Sequence, residues 1–314
     1  MITERQMEYV VAIAETGSFT AAAERCHTAQ SALSHQIARL ESHLGARLFD
    51  RTSRSVSLTE AGRTLLPVAR RILADMAAAR DELHILGGMV RGPLRIGTTQ
   101  TAARLVNLLQ LLVDYDRQHS DVELSVTMGP GFELLSGVAS ADIDIAFAAL
   151  DGMSPPPGVE FVTFGCPEPL VAVVAAGHLL AHQSEVRLDQ LASASRFVDF
   201  RAHTALWNKV ESMCAAAGVH RRVMCEIGHL GDMVRLAASG LAVAVVPLTF
   251  TEPVDGLPSP PEEIRVLSLS EPDSCLAMGF FFQRDRIAAP AVRAFIELFS
   301  KTRHLSTRHP APPL

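Results

Sequence analysis

The sequence predicts a multidomain chain: an all-α-rich N-terminal unit closed by a β-hairpin, then an α/β part built in two successive sets. Three observations predict it. The 314 residues exceed what one core ordinarily organises, at roughly 100–200 residues per domain. Helical periodicity dominates the first 86 positions, whereas strand-length apolar runs alternate with helical patterns after residue 93. Between these regions, Gly87-Gly88 and Gly92-Pro93 punctuate the chain as a linker.

Met7, Val10, Val11 and Ala14 recur at i, i+3, i+4 and i+7, which makes one apolar face of a first helix. Gly17 ends it, and Ser18 caps a short second helix from Phe19 to about Arg25, whose alanines let another helix approach closely. A third helix begins near Ala29, with Thr28 as its N-cap and Gly45 just past its end. Leu33, Ile37, Leu40 and Leu44 fall within about 60° of one another on a 3.6-residue wheel and form the buried stripe. Ser31, Ser34, His35, Ala38 and Ser42 occupy the opposite face. Leu48 to Leu58 reads as two short extended pieces around a polar, basic tip, a β-hairpin. Thr59 then caps a helix running to about Leu86, roughly 40 Å long at about 1.5 Å per residue and kinked at Pro67. Its apolar residues, Leu65 to Leu83, lie between two domains with nothing of the same chain to cover them, so pairing with a second copy is the economical solution.

Beyond the linker the rhythm is a strand over 94–97, a helix over 102–116, a strand over 122–128, a helix over 133–140 and a strand over 143–148. This alternation implies a parallel sheet with helices on both faces. The Pro-rich turn 154–158 leads into strands at 170–175, 196–200, 223–227 and 242–246, with helices at 204–217 and 231–238. Strands at 265–268 and 276–282 and a helix at 290–300 follow, and the polar, Pro-rich tail 302–314 is expected to be disordered.

Composition excludes several classes. The net charge of -6 argues against a simple cationic nucleic-acid binder. The first 91 residues are nonetheless slightly basic, with 11 Arg against 10 acidic groups, while the remainder carries 17 basic and 24 acidic residues. Any DNA affinity must depend on where the charges sit and on dimerisation. No apolar leader stands at the N-terminus and no run of about 18 apolar residues occurs, which leads to the expectation of a cytoplasmic protein off the membrane. Five Cys without scaffold spacing fit a reducing compartment. No GxSxG, HExxH, P-loop or GxGxxG is present, so no enzyme is indicated. His178 and His182 share the i, i+4 spacing of a metal pair, and Cys214, His220, Cys225 and His229 imitate a zinc cluster, but the first pair flanks leucines and the second set straddles a helix and a strand; no metal is expected.

The segment Tyr9-Val10-Val11-Ala12-Ile13-Ala14-Glu15-Thr16-Gly17-Ser18-Phe19-Thr20-Ala21-Ala22-Ala23-Glu24-Arg25 resembles the start of LysR-type transcriptional regulators. So do Gln30-Ser31-Ala32-Leu33-Ser34-His35-Gln36-Ile37-Ala38-Arg39-Leu40-Glu41, Leu44 to Arg51, and Leu58-Thr59-Glu60-Ala61-Gly62. The match is dense over about the first 65 residues and specific. It continues more weakly at 119–124, at 142–146 and at 238–247. The resemblance implies a winged helix-turn-helix over 1–58, a linker and dimerisation helix over 59–90, and a two-lobed, periplasmic-binding-protein-like effector-binding regulatory domain over 91–314. Lobe 1 would take about 91–160 and 266–300, and lobe 2 about 161–265. It further implies a homodimer or homotetramer that holds an interrupted inverted repeat in double-stranded DNA, answers a small-molecule co-inducer without any cofactor, and acts with RNA polymerase. A solute-binding protein of periplasmic type without DNA function is the alternative; the N-terminal pattern and the missing signal peptide oppose it.

In such a fold the second helix of the pair enters the major groove near its N-terminus. Gln30 then suits adenine, Ser34 donates or accepts, and Ser31 and His35 lie on the same outward side, His35 toward guanine or phosphate. Arg51 and Arg54, at the hairpin tip, suit phosphate or minor-groove contact. The family often has Pro where Ser31 stands and Arg where His35 stands. For the effector, ligands of open α/β sheets sit at carboxyl ends of strands, often against a helix N-terminus. That rule selects Thr98, Thr99 and Thr101 after the first strand, as partners of an anion such as a carboxylate, then Gly129 and Phe147, and from the second lobe Arg201, His203 and His229. A threonine at a helix start is an N-cap first, and a glycine there also serves a turn. Peroxide-sensing members use a close Cys pair in this lobe; Cys214 falls near one such position, but Ala205-Leu206-Trp207 offers no partner.

Overall fold

The computed structural model describes residues 2–51, 56–85, 90–151, 154–165, 167–253, 261, 263–284 and 289–306. Arg54, the glycine pair at 87–88 and the tail beyond 306 lie outside them, as does the side chain of Arg51.

The N-terminal unit holds α1 (Glu4–Thr16), α2 (Phe19–Arg25), α3 (Gln30–Leu44), the hairpin β1 (Phe49–Arg51) and β2 (Val56–Leu58), and α4 (Glu60–Ile85). Local chemistry sets these limits. Thr3 and Gln6 form a reciprocal capping box at the start of α1, and Gly17, at φ 61°, ends it. Ser18 caps α2 as expected. Thr28 does not cap α3: Ala29 stands in extended geometry at its head with no side-chain cap. Met7, Val10, Ile13, Leu33, Ile37, Leu40, Leu48 and Phe49 form one core. Leu44, expected in that stripe, is exposed at the last position of α3, next to the left-handed Gly45 that ends the helix. The wing is tied to α3 by Glu41, whose Oε1 accepts from the backbone N of Leu48 at 2.8 Å and of Phe49 at 3.3 Å. Gly62 is required by close packing: a Cβ there would lie 2.1 Å from the carbonyl oxygen of Leu48. Thr59 caps α4 as expected, accepting from Gly62 N at 3.0 Å. Pro67 lies inside that helix.

The remaining chain forms two lobes. The first has β3 (Gly92–Thr98), α5 (Gln100–Leu105), α6 (Leu108–Gln118), β4 (Val122–Met128), α7 (Gly131–Ala139), β5 (Ile145–Ala149) and β6 (Val159–Thr163). The second has β7 (Glu168–Ala175), β8 (Glu185–Val186), α8 (Leu188–Ala194), β9 (Phe197–Phe200), α9 (Ala205–Ala216), β10 (Val223–Ile227), α10 (Leu230–Ala238), β11 (Val243–Pro247), β12 (Ile264–Leu269) and β13 (Cys275–Leu276). The chain then returns to the first lobe through β14 (Met278–Gln283) and ends in α11 (Pro290–Ser306).

The sheets are ordered β4-β3-β5-β14-β6 and β10-β9-β11-β7-β12-β8. Both are mixed rather than parallel. β3 runs parallel to β4 and β5, but β14 is antiparallel to β5 and β6, and β7 is antiparallel to β11 and β12. The antiparallel strands are those leading into or out of the two passages between lobes. The first passage lies between β6 and β7 and the second between β13 and β14, so β12 belongs to the second lobe and not to the first. The expected lobe limits fall short of the sheet pairing for that reason. The single helix expected over 102–116 is two, broken at Asn107, whose φ is 49°. The residues 302–306, expected to be disordered, extend α11. No helix among the described residues is long and apolar enough to cross a membrane.

Candidate nucleic-acid interface and effector cleft

On α3 the buried stripe and the exposed face diverge cleanly. Leu33 and Ile37 are fully buried, whereas Gln30, Ser31 and His35 are exposed and Ser34 half-buried. The Gln30 amide donates to Ser34 Oγ at 3.0 Å across one helical turn, which leaves the Gln30 carbonyl directed by a neighbour. The four polar residues therefore share one outward patch at the head of a helix that Leu33, Ile37 and Leu40 hold against the domain. Arg51 brings its backbone into β1.

The second site lies between the lobes. A cavity of about 440 Å³ is lined by chain segments from both. The first lobe supplies Thr99, Gln100 and Thr101 after β3, Met128 to Gly131 after β4, and Glu133. The second supplies Phe200 and Arg201 after β9, Thr204 to Leu206 at the head of α9, and Gly228 and Leu230 after β10. Carboxyl ends of strands meet there from both sheets, which is where an open α/β fold leaves a crevice.

The predicted residues divide. Thr99, Thr101, Gly129 and Arg201 line the cavity. Thr99 is also the N-cap of α5, accepting from Ala102 N at 3.2 Å. Thr98 and His229 line a different, more apolar cavity of about 540 Å³ beside α6 and α10. Thr98 is fully buried and donates to the carbonyl of Thr99, so its place just inside the strand costs it the cleft. His229 is the N-cap residue of α10, with Nδ1 3.5 Å from Asp232. Phe147 does not face the cleft. It is fully buried among Phe164, Phe280, Phe295 and Phe299, on the face of β5 that packs toward α11. His203 turns away too: it adopts φ 62° and tilts against Trp207, with ring centroids 5.6 Å apart.

Sequence reasoning missed Glu133 and Thr204. Both sit in first turns or caps, where acids and hydroxyls satisfy a helix start and so carry no separate signal. It also missed what Gln100 does. Its amide donates to Gly228 O at 2.7 Å and its oxygen accepts from Leu230 N at 3.0 Å, so one side chain of the first lobe pins the β10–α10 turn of the second. Arg104 adds two bonds of the same kind, to the carbonyls of Thr249 and Glu252 at 2.5 and 2.7 Å.

Two clusters behind the cleft are structural. Lys209, on α9, lies 2.6 Å from Asp273 and 3.4 Å from Asp151, joining that helix to the segment between β12 and β13 and to the segment between β5 and β6 of the first lobe. Burial pulls its pKa down, but the two carboxylates outweigh it and the net shift is upward. Arg221 pairs with Asp199 and Glu211 beside Cys214. Burial pushes the Cys214 thiol up, against the partial relief Arg221 offers, which is the reverse of a thiol made reactive by a lowered pKa. The described cysteines, Cys26, Cys214, Cys225 and Cys275, are free. His178, considered above as a metal ligand, bonds Ser195 Oγ at 2.7 Å and accepts from Leu180 N at 3.2 Å.

Comparison with known proteins matches both parts of the chain. Residues 4–63 match the family model described as bacterial regulatory helix-turn-helix protein, lysR family, and residues 87–303 match the LysR substrate binding domain. The chain is 31% identical over 295 residues to the uncharacterized HTH-type transcriptional regulator YnfL of Escherichia coli, covering 93% of this chain and 95% of that one. It is 29% identical to a hydrogen peroxide-inducible genes activator of Pectobacterium carotovorum, over 77% of this chain and 79% of that one. Among solved structures, full-length OxyR from Pseudomonas aeruginosa superposes with a TM-score of 0.76 at 22% identity, covering 97% and 95% of the two chains. Full-length CbnR in complex with its target DNA superposes at 0.63, also at 22% identity, covering 96% and 100%. The two family models together span most of the chain and the solved structures share its fold, and the chain belongs to the LysR family of DNA-binding transcriptional regulators.

Proposed function

We propose that the head of α3 reads base edges in the major groove, that two copies joined through α4 address the halves of an inverted repeat, and that occupation of the interlobe cleft by a small carboxylate alters this binding. The observation that carries the DNA reading is the patch of Gln30, Ser31, Ser34 and His35, turned outward on a helix anchored from behind by Leu33 and Ile37. Gln suits adenine and His suits guanine or phosphate. Pairing through α4 is supported by Ile72 and Met76, which remain exposed on it. Dimers address half-sites about one helical turn, or multiples of one, apart. The carboxylate reading is supported by Arg201, which lines the cleft. Action in the cytoplasm, a dimer or tetramer, contact with RNA polymerase and the lack of any catalytic role belong to the same reading. The test is a gel shift of the full chain on the intergenic DNA beside its own gene, at two salt concentrations. Salt-sensitive, sequence-selective retardation that Gln30→Ala weakens is expected; equal retardation of unrelated DNA by both proteins overturns the reading.

A further inference from the structure

The interlobe cleft holds two ionisable side chains of opposite sign, one on each wall. Arg201 follows β9 in the second lobe, and Glu133 lies in the first turn of α7 in the first. They are the only ionisable side chains among the described residues lining the cavity. Both are exposed to it, and neither makes a hydrogen bond or ion pair with any described residue. The Glu133 carboxylate lies beside Gly129, another lining residue, with Oε2 3.6 Å from the point a Cβ there would occupy. The rest of the wall includes Met128, Leu206, Leu276 and Met278.

A plain carboxylate would pair with Arg201 but would lie in the field of Glu133, and its entry would strip water from that carboxylate without replacing it. A plain amine meets the mirror-image problem at Arg201. A molecule carrying both signs pairs each wall with its complement, and only it leaves no charge unmatched in a partly desolvated space. Glu133 would thus select against simple acids as well as for an ammonium group. We infer that the cleft takes a zwitterion with an apolar body, an α-amino acid or a close derivative, its carboxylate at Arg201 and its ammonium at Glu133. This rests on the cleft being the effector site.

Glu133 also suits the N-terminal turn of α7, where a negative charge stabilises a helix. That role changes stability and leaves ligand choice alone, so the readout must be a preference. The full-length protein is screened by thermal shift against the twenty L-amino acids at millimolar concentration. The tightest binder is then compared by calorimetry with its des-amino acid and its decarboxylated amine. For phenylalanine these are 3-phenylpropanoate and 2-phenylethylamine. The amino acid should bind at least about tenfold tighter than either analogue. Glu133→Gln should bring the amino acid and its des-amino acid to within about twofold of each other, and Arg201→Met should abolish binding of both. If no amino acid raises the melting temperature, or if the des-amino acid binds as well as its parent, the zwitterion is overturned. If Glu133→Gln leaves the preference intact, it is overturned as well. The two readings separate cleanly: binding lost with Arg201→Met but indifferent to Glu133→Gln keeps the cleft and rejects the zwitterion. Binding that survives Arg201→Met rejects the cleft itself.

Discussion

The two sites of this regulator are built in opposite ways. The patch on α3 comes from positions 30 to 35 of one helix, so its geometry is that of a single element and its orientation is set by three buried side chains behind it. The interlobe cleft draws on segments from position 99 to position 278, held in register by two sheets and by side chains such as Gln100 that cross between them. A site on one element depends on the packing of that element. A site between two bodies depends on the bonds that hold the bodies together. The first should therefore fail through loss of fold or loss of contact, the second through loss of relative placement.

Four experiments press on that contrast. The largest effect is expected from Leu33→Ala, which empties a fully buried position under the patch and should cost about 2–5 kcal/mol. Denaturant unfolding followed by the helical signal would measure it, and a loss below about 1 kcal/mol would mean that α3 is not anchored as described. Next, Gln30→Ala touches no core residue. It should leave the melting temperature unchanged while reducing selectivity for the preferred over an unrelated DNA fragment by about 1–3 kcal/mol, read from competition gel shifts. Gln100→Ala is the counterpart in the cleft. It removes two hydrogen bonds between lobes, about 1–2 kcal/mol, and should lower the stability of the α/β part while leaving DNA affinity without effector intact. Hydrogen exchange localised to the β10–α10 turn would show the release, and unchanged protection there would show that Arg104 and Lys209 suffice.

The smallest expected effect is a pH dependence. Burial lowers the pKa of His178, so the folded state prefers the neutral ring that accepts from Leu180 N. A folded pKa below the unfolded one means that this stabilisation is complete above the ordinary histidine value. It is lost as pH falls through the depressed value. The melting temperature should drop on acidification past about 6.5, and His178→Gln should flatten that drop, by less than about 2 °C in either direction. A steeper drop in the variant than in the parent would contradict the assignment.

Legibility in the sequence followed the same division. The helices of the N-terminal unit, the Ser18 and Thr59 caps and the left-handed Gly17 and Gly45 were readable because each depends on residues within one turn. Thr28 failed as a cap because the chain between α2 and α3 places it outside the helix start, and only the packing of those helices fixes that point. In the α/β part, the longer strands were readable from apolar runs, whereas β6, β8, β13 and the short helix α8 were not. Strand directions were not readable either, since parallel and antiparallel strands bury the same side chains. Phe147 was wrongly expected in the cleft for a related reason: the end of a strand is visible in sequence, but which face meets solvent depends on whether α11 covers it.

By itself the sequence determined most of the elements, the polar outward face of α3, and the family, because periodicity, caps and contiguous side-chain patterns are short-range properties. Only the tertiary structure decided that β12 belongs to the second lobe, that Gln100 spans the lobes, and that Glu133 faces the same cavity as Arg201. Those relations join residues 68 to 130 positions apart. They are set by the closing of two sheets around a shared crevice, which no local preference encodes.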